Sequence, residues 1–403
     1  MRINHHDGLL TYCSNIHPGE SWQETFENLK KYTTQVKAEL GVDQFGIGLR
    51  LSHEASYELV QEGKIPAFKS WLEENGLYVF TINGFPYGQF HFDVVKDKVH
   101  APDWTHHDRL HYTKRLFHIL AALLPEGMDG GVSTSPLSYR FWHKSEADLT
   151  RAKIESLSQL CEVVSTCRKF KMITGKSMHL DMEPEPDGIL ETSQEFVDFY
   201  EQYLLSQGIP QVQEHLSCTA IEAEDAIREH VQLCYDVCHF AVGYESPEEA
   251  INRIEAAGIR IGRIQISAAL GSPSMNPENQ QETIHQLKAF DEPVYLHQAV
   301  VKTNSGRLKR FQDLGDALKA FSPEDQEIRT HFHVPIFTET YDQLVSTQQD
   351  IVETLKVWKK KNFTNHLEVE TYTWDVLPDD MRTDLVSSIV RELNWVKDSL
   401  DQP

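Results

Sequence analysis

The stretch HLDMEPEP, residues 179–186, sets acidic or imidazole side chains at every second position: His179, Asp181, Glu183 and Glu185. Met178, Leu180 and Met182 occupy the alternate places. Side chains of a strand point alternately to its two faces, so this segment has one apolar and one polar face. A strand of a closed parallel barrel needs that division, because one face meets the helices and the other points into the barrel. The same alternation recurs along the chain. Phe45, Ile47, Leu49 and Leu51 oppose Gly46, Gly48, Arg50 and Ser52. Leu233 and Tyr235 oppose Cys234 and Asp236, and Ile264 and Ile266 oppose Gln265 and Ser267. Leu367 and Val369 oppose Glu368 and Glu370, and in the first such run Thr11, Cys13, Asn15 and His17 share the inner side.

Between these runs lie helical patterns, from about Ser21 to Leu40, Tyr57 to Asn75, His107 to Leu124, Ala147 to Phe170, Ser193 to Ser206, Pro247 to Ala257, Asp350 to Lys361 and Asp380 to Leu400. Eight strands alternating with helices predict parallel pairing through right-handed crossovers. The expected fold is an α/β (β/α)8 TIM barrel, for which about 250 residues usually suffice. The 403-residue chain therefore carries insertions, placed after the third strand (about Phe85 to Trp104) and after the seventh. We expect a single barrel over 1–403, with 270–337 an insertion containing a hairpin around NSG (304–306) and the strand-like THFHVPIF. The competing layout, an open doubly wound sheet, more naturally carries a glycine-rich phosphate loop after its first strand, and SNIHPGE is not one.

Bulk properties narrow the function. A net charge of −23, from 61 acidic and 38 basic residues, repels phosphate backbones and anionic lipid, which argues against nucleic acid as a partner. Six scattered cysteines form no zinc-ribbon spacing, and reduced thiols in a cytoplasmic protein are the expectation. The N-terminus lacks a signal-peptide core, and the longest apolar run, LFHILAALL, is too short to span a bilayer.

The last inward residues of four consecutive strands read Glu183, Asp236, Gln265 and Glu370. Three carboxylates in one barrel mouth need a positive neutraliser. A divalent metal, with those four as oxygen donors, is the expected solution; an ion-pair cluster on Arg50 is the alternative. Oxygen donors favour Mn²⁺ or Mg²⁺, and nearby histidines leave Zn²⁺ or Co²⁺ open. Glu185 and His333 are further candidates for a ligand position. Asn15, His17, Arg50 and Asn83 end strands one to three, and His297 and His333 lie in the second insertion; these are the expected substrate contacts. The expected chemistry is proton transfer next to a carbonyl, with Glu183 or Glu370 as base and His239 orienting the substrate oxygen. Isomerisation, epimerisation, dehydration and binding alone all remain open.

YDVCHFA, with Asp236 and His239 as D-x-x-H, together with DMEP and LEVE, resembles the xylose-isomerase-like (AP endonuclease type 2) superfamily of TIM-barrel sugar isomerases and epimerases. The resemblance implies Glu183, Asp236 and Glu370 as metal ligands and His239 as a substrate contact. Gln265 stands where histidine is usual, a departure that some dehydratase members share. A longer set of motifs, YCSNIHPGESW, NGFPYGQFH, STSPLSY, HLDMEPEPDG, HFHVPIF and HLEVETYTW, resembles the EboE group of metabolite traffic proteins within that superfamily. That resemblance implies a small, sugar- or cyclitol-like metabolite and functional partners from a metabolite-traffic operon.

Overall fold

Alternating strands and helices wind into a barrel in the computed structural model, which describes residues 1–3, 8–89, 95–276, 278–374 and 384–401. In chain order the strands are β1 (Leu9–Tyr12), β2 (Phe45–Arg50), β3 (Leu77–Asn83), β4 (Gly130–Thr134), β5 (Met178–Met182), β6 (Val231–Asp236) and β7 (Ile261–Ile266). Then come β8 (Ala268–Gly271), β9 (Ala299–Thr303), β10 (Leu308–Phe311), β11 (Asp325–Val334), β12 (Thr340–Tyr341), β13 (Leu344–Ser346) and β14 (His366–Val369). Eight of them pair in parallel in the order β1-β14-β7-β6-β5-β4-β3-β2. The cylinder closes where Cys13 bridges to Gly48. There the Thr11 hydroxyl donates to the Gly46 carbonyl (2.7 Å) and accepts from the Gly48 amide (3.1 Å). A Cβ on Gly48 would collide with the Glu368 carboxylate and the Tyr12 carbonyl, so glycine permits this closure.

The remaining strands form a second, antiparallel sheet in the order β10-β9-β11-β8-β13-β12. The expected hairpin is β9–β10, turning through Gly306 at φ 80°. THFHVPIF contributes its first five residues to the end of the ten-residue β11. The first insertion packs against the second: the amides of Val95 and Lys96 donate to the Val294 carbonyl (2.8 and 3.2 Å), and Lys96 Nζ pairs with Asp313 (2.6 Å).

The helices start where the sequence supplies caps. Ser21, Thr192 and Thr219 each form a capping box with a glutamate three residues on. The helix expected over Tyr57 to Asn75 is two, His53–Leu59 and Lys64–Glu74, because Gly63 at φ 80° interrupts it. The helix expected to end near Ser206 continues through a π-helical segment, Tyr200–Gly208, into Ile209–Leu216. The closing helix spans Leu385–Asp401; the expected start at Asp380 lies outside the described residues. The core sits between strands and helices, where Ile47, Leu180, Ile264 and Leu367 are fully buried.

Inside the barrel the polar faces form layers. In the middle layer Arg263, itself fully buried, donates to Asp181 (3.0 Å) and Glu368 (2.8 Å). This pairing serves the layer below the mouth; among the described residues neither Arg263 nor Arg50 forms an ion pair with Glu183, Asp236 or Glu370, the acids for which a cluster on Arg50 was the alternative. Arg263 lies two residues before Gln265 and so shares its inward parity.

Candidate functional site

Above that arginine, the C-terminal strand ends bring Glu183, Asp236 and Glu370 together. One carboxylate oxygen from each lies within 4.8 Å of the others, and all three residues are buried. Asp236 ends β6 and caps the helix Val237–Val242, its Oδ1 accepting from the His239 amide (3.1 Å) and the Ser267 hydroxyl (2.7 Å). Its Oδ2 has no hydrogen-bond partner, nor has Oε2 of Glu183. Glu370 is fully engaged: Oε1 accepts from Asn15 (2.6 Å) and Asn83 (3.1 Å), and Oε2 from the Gln265 amide (2.5 Å). Burial, then the facing carboxylates, pushes the Glu183 and Glu370 carboxyls well above the usual range. Two unbonded, buried carboxylate oxygens beside a third acid are a poor end state for a protein interior, and they fit a cation. Glu183, Asp236 and Glu370 are the residues that would hold it.

Gln265 is fully buried below this cluster. It binds Glu370 through its amide nitrogen and accepts from the Cys234 thiol through its oxygen (2.5 Å), so in this arrangement it positions Glu370.

The cluster floors a pocket at the barrel mouth. Asn15, Asn83, Glu183, Glu185, His239, His331, Glu370 and Tyr372 bring polar groups to it, and Phe85, Pro86, Val95, Val99, Tyr295 and Leu296 bring apolar surface. Both insertions therefore wall the site. His239 and His331 face each other with Nε2 atoms 3.2 Å apart. His239 Nδ1 must donate to the Pro184 carbonyl (2.9 Å), which leaves Nε2 as an acceptor in the neutral ring. His331 Nδ1 lies 2.8 Å from the Gln298 oxygen, whose amide nitrogen is committed to the Pro186 carbonyl, so its Nε2 is an acceptor as well. Burial lowers the pKa of both rings. Two lone pairs thus converge at the cavity wall, with the Tyr372 hydroxyl 3.4 Å from one of them. They form a ready acceptor for a substrate hydroxyl.

Asn15, Asn83, Glu183, His239 and Glu370, singled out from sequence, line the cavity, and Asp236 and Gln265 lie just beneath it. Four expected substrate contacts lie outside the cavity lining. His17 stacks on Tyr32 (4.5 Å between centroids) and meets the Tyr12 hydroxyl (3.0 Å) on the helix side, because the 3-10 turn Ser14–Ile16 ends the alternation of β1. Arg50 is held by Glu20 and by the carbonyls of Gly19 and Gly88 (both 2.6 Å), so it ties loops together outside the cavity. His297 sits behind the wall, bonded to Glu292 (2.6 Å) and to the backbone of His331 (2.9 Å). His333 donates to the Glu370 carbonyl (2.8 Å) and lies with Asp236 and His239, near the acids but outside the cavity lining. Tyr372 and Arg263 were legible in principle, since each continues the two-residue spacing of Glu370 and Gln265. His331 carries no such signal, because the path of an insertion is not set by barrel parity.

The (β/α)8 barrel fold is shared with solved TIM-barrel proteins. A xylose isomerase-like TIM barrel protein from Mycobacterium smegmatis, solved in complex with magnesium, is similar at 12% identity over 98% of this chain and 96% of that one, with a TM-score of 0.50. The IolI protein with a bound zinc atom is 11% identical over 97% and 98% of the two chains (TM-score 0.48). D-allulose 3-epimerase from Methylomonas sp. is 11% identical over 99% and 100% (TM-score 0.48). No family model matches the sequence, and no curated protein matches it. Among the described residues no helix is long and apolar enough to cross a membrane.

Proposed function

We propose that this protein is a divalent-metal-dependent, sugar isomerase/epimerase-like enzyme acting on a small polyhydroxylated metabolite. One observation carries the reading: three buried carboxylates, two with unbonded oxygens, under a pocket lined by polar groups at the barrel mouth. The bound ion would supply Lewis-acid polarisation of a substrate carbonyl or hydroxyl pair. Glu183 takes a proton from the carbon next to the carbonyl and returns it to that carbon or its neighbour. His239 and His331 accept hydrogen bonds from substrate hydroxyls, and Asn15, Asn83 and Gln265 fix Glu370. On this reading residues 1–403 act as one unit, with the insertion 270–337 supplying part of the site. Mn²⁺ or Mg²⁺ suits the three carboxylates; the adjoining imidazoles would also suit Zn²⁺ or Co²⁺. The motif resemblance to the EboE group supports a place in processing or moving a secondary-metabolite precursor, alongside products of the same operon.

The test is metal content followed by isotope exchange. Purified protein should carry a divalent ion that Asp236→Ala loses at the mouth while the barrel stays folded by circular dichroism. With the ion present, deuterium from solvent should enter a keto-sugar or cyclitol ketone of the right shape. Retention of every ion by Asp236→Ala would remove the metal site. Bound metal without exchange into any candidate would favour a carrier that binds the metabolite without converting it.

A further inference from the structure

The opposite end of the barrel holds a second group of metal-ligand type. Asp129 immediately precedes β4, His179 lies in β5 and His366 opens β14. Across the barrel floor these three offer ligand atoms that all lie within 4.8 Å of one another. His179 Nε2 is 3.6 Å from Asp129 Oδ2, and His366 Nε2 is 3.6 Å from Asp129 Oδ1. Those separations are too long for hydrogen bonds. They are close to the edge of a tetrahedron around a zinc-like ion, about 3.3 Å for ligand distances of about 2.0 Å.

Two independent observations point to a missing ligand. The His366 side chain is only 1% exposed, yet neither ring nitrogen has a hydrogen-bond partner. A buried imidazole whose nearest polar partner, the Asp129 carboxylate, stands off at 3.6 Å is uncommon in a settled interior. Phe80 packs edge-on against the same ring (4.9 Å), fixing its plane. The second observation is the support behind His179. Its Nδ1 meets Asp181 Oδ1 at 2.5 Å, and Asp181 is in turn held by Arg263 at 3.0 Å. A carboxylate behind an imidazole, itself anchored, is how proteins orient a metal-binding histidine so that Nε2 faces the ion. Space for this pair is made by Gly131 and Gly262, where a Cβ would collide with Asp181 and crowd His179. Asp129 is 43% exposed and borders a surface cleft lined also by Arg2, Gly8, Met128 and Asn365, which gives an ion a route in.

We propose that Asp129, His179 and His366 bind a zinc-class transition-metal ion at the N-terminal end of the barrel, separate from the acidic cluster at the mouth. Two histidines and one carboxylate leave a fourth position open toward the cleft. The ion joins the segment before β4 to β5 and β14 across the floor, which makes it a clasp on the barrel.

The experiment uses chelator-treated full-length protein titrated with Co²⁺, read by visible absorption and by ions bound per chain. Asp129→Asn and His366→Phe should each bind one ion fewer than the parent protein. Asp129 is partly exposed and its variant keeps the loop. His366→Phe replaces an unbonded ring with an apolar one, so it should fold without metal. The Asp236→Ala protein should still bind one Co²⁺ with the intense bands of a four-coordinate site, and adding Asp129→Asn should abolish them. Equal Co²⁺ stoichiometry in the parent, Asp129→Asn and His366→Phe would overturn the proposal. Failure of the mouth site alone appears separately, as an unchanged count in Asp236→Ala.

Discussion

Replacing Arg263 by methionine tests the idea that one buried cation makes the barrel interior possible. Arg263, Asp181 and Glu368 are all at most 1% exposed, and the guanidinium sends one hydrogen bond to each carboxylate, at 3.0 and 2.8 Å. Methionine retains an unbranched side chain but removes charge and donors, leaving two buried carboxylates whose remaining positive neighbours are imidazoles. Stranding one buried ionic partner costs about 3–5 kcal/mol, a large share of the roughly 5–15 kcal/mol that holds an ordinary domain together. Urea unfolding at pH 8 should therefore show Arg263→Met less stable by about that amount. Adding Asp181→Asn and Glu368→Gln should restore much of it, because neutral amides tolerate the site. The pH dependence has a definite sign. In the native protein burial pushes the Asp181 carboxyl up, but His179 and Arg263 outweigh it and hold the pKa below the usual range. Without Arg263 both carboxyls rise, the folded state binds more protons than the unfolded one, and stability increases as pH falls. Each unit of rise contributes about 1.36 kcal/mol, so the gap between variant and parent should narrow from pH 8 to pH 5. A gap below about 1 kcal/mol at pH 8, or one that widens toward acid, would refute the reasoning.

Three further outcomes are expected. Gln265→Leu removes the 2.5 Å bond to Glu370, and calorimetric titration should show Mn²⁺ binding at the mouth weakened by about 10–100-fold; unchanged affinity would deny Gln265 its positioning role. Glu392, 1% exposed and bonded to Thr371 (2.8 Å), has its carboxyl pushed up to about 8 by burial. The folded state therefore holds a proton that the unfolded state loses near pH 4–5, so this group's contribution falls as pH rises toward 8; Glu392→Gln should gain on the parent by on the order of 1 kcal/mol or more between pH 5 and 8.5, and a constant difference in melting temperature would contradict it. Gly262→Ala should be severely destabilising because its Cβ collides with Asp181, whereas Gly127→Ala, at φ 77° in open space, should cost only about 1 kcal/mol; comparable unfolding midpoints would show that the interior relaxes around the methyl.

How far the sequence carried the reading depends on what fixes each side chain. Glu183, Asp236, Gln265 and Glu370 were legible because alternation along a strand is geometrically rigid, and parity plus position at the strand end leaves little freedom. His17 shows where this rule stops: β1 ends at Tyr12, and beyond it a 3-10 turn redirects the chain. Arg50 obeys parity in its backbone, but its long side chain reaches past the rim to the carbonyls of Gly19 and Gly88. His331 lies in β11 and His297 just before β9, and which of them faces the cavity depends on the register of β11 against β8 and β9, including its bulges. No local pattern encodes that register. The floor cluster escaped because its members come from three distant strand starts, and attention to the active end of a barrel passes over them.

The lumen of this barrel is ionisable from floor to rim, and that has a consequence for how the molecule can change. Cohesion resides in an oily jacket between strands and helices, typified by Ile47, Leu180, Ile264 and Leu367. The bore contributes charge networks that are locally self-sufficient, each tier closed by its own counter-charge or waiting for one. A lineage can therefore retool one tier without loosening the jacket. Old chemistry can lapse and new chemistry arise in the same vessel while its walls stay as they were.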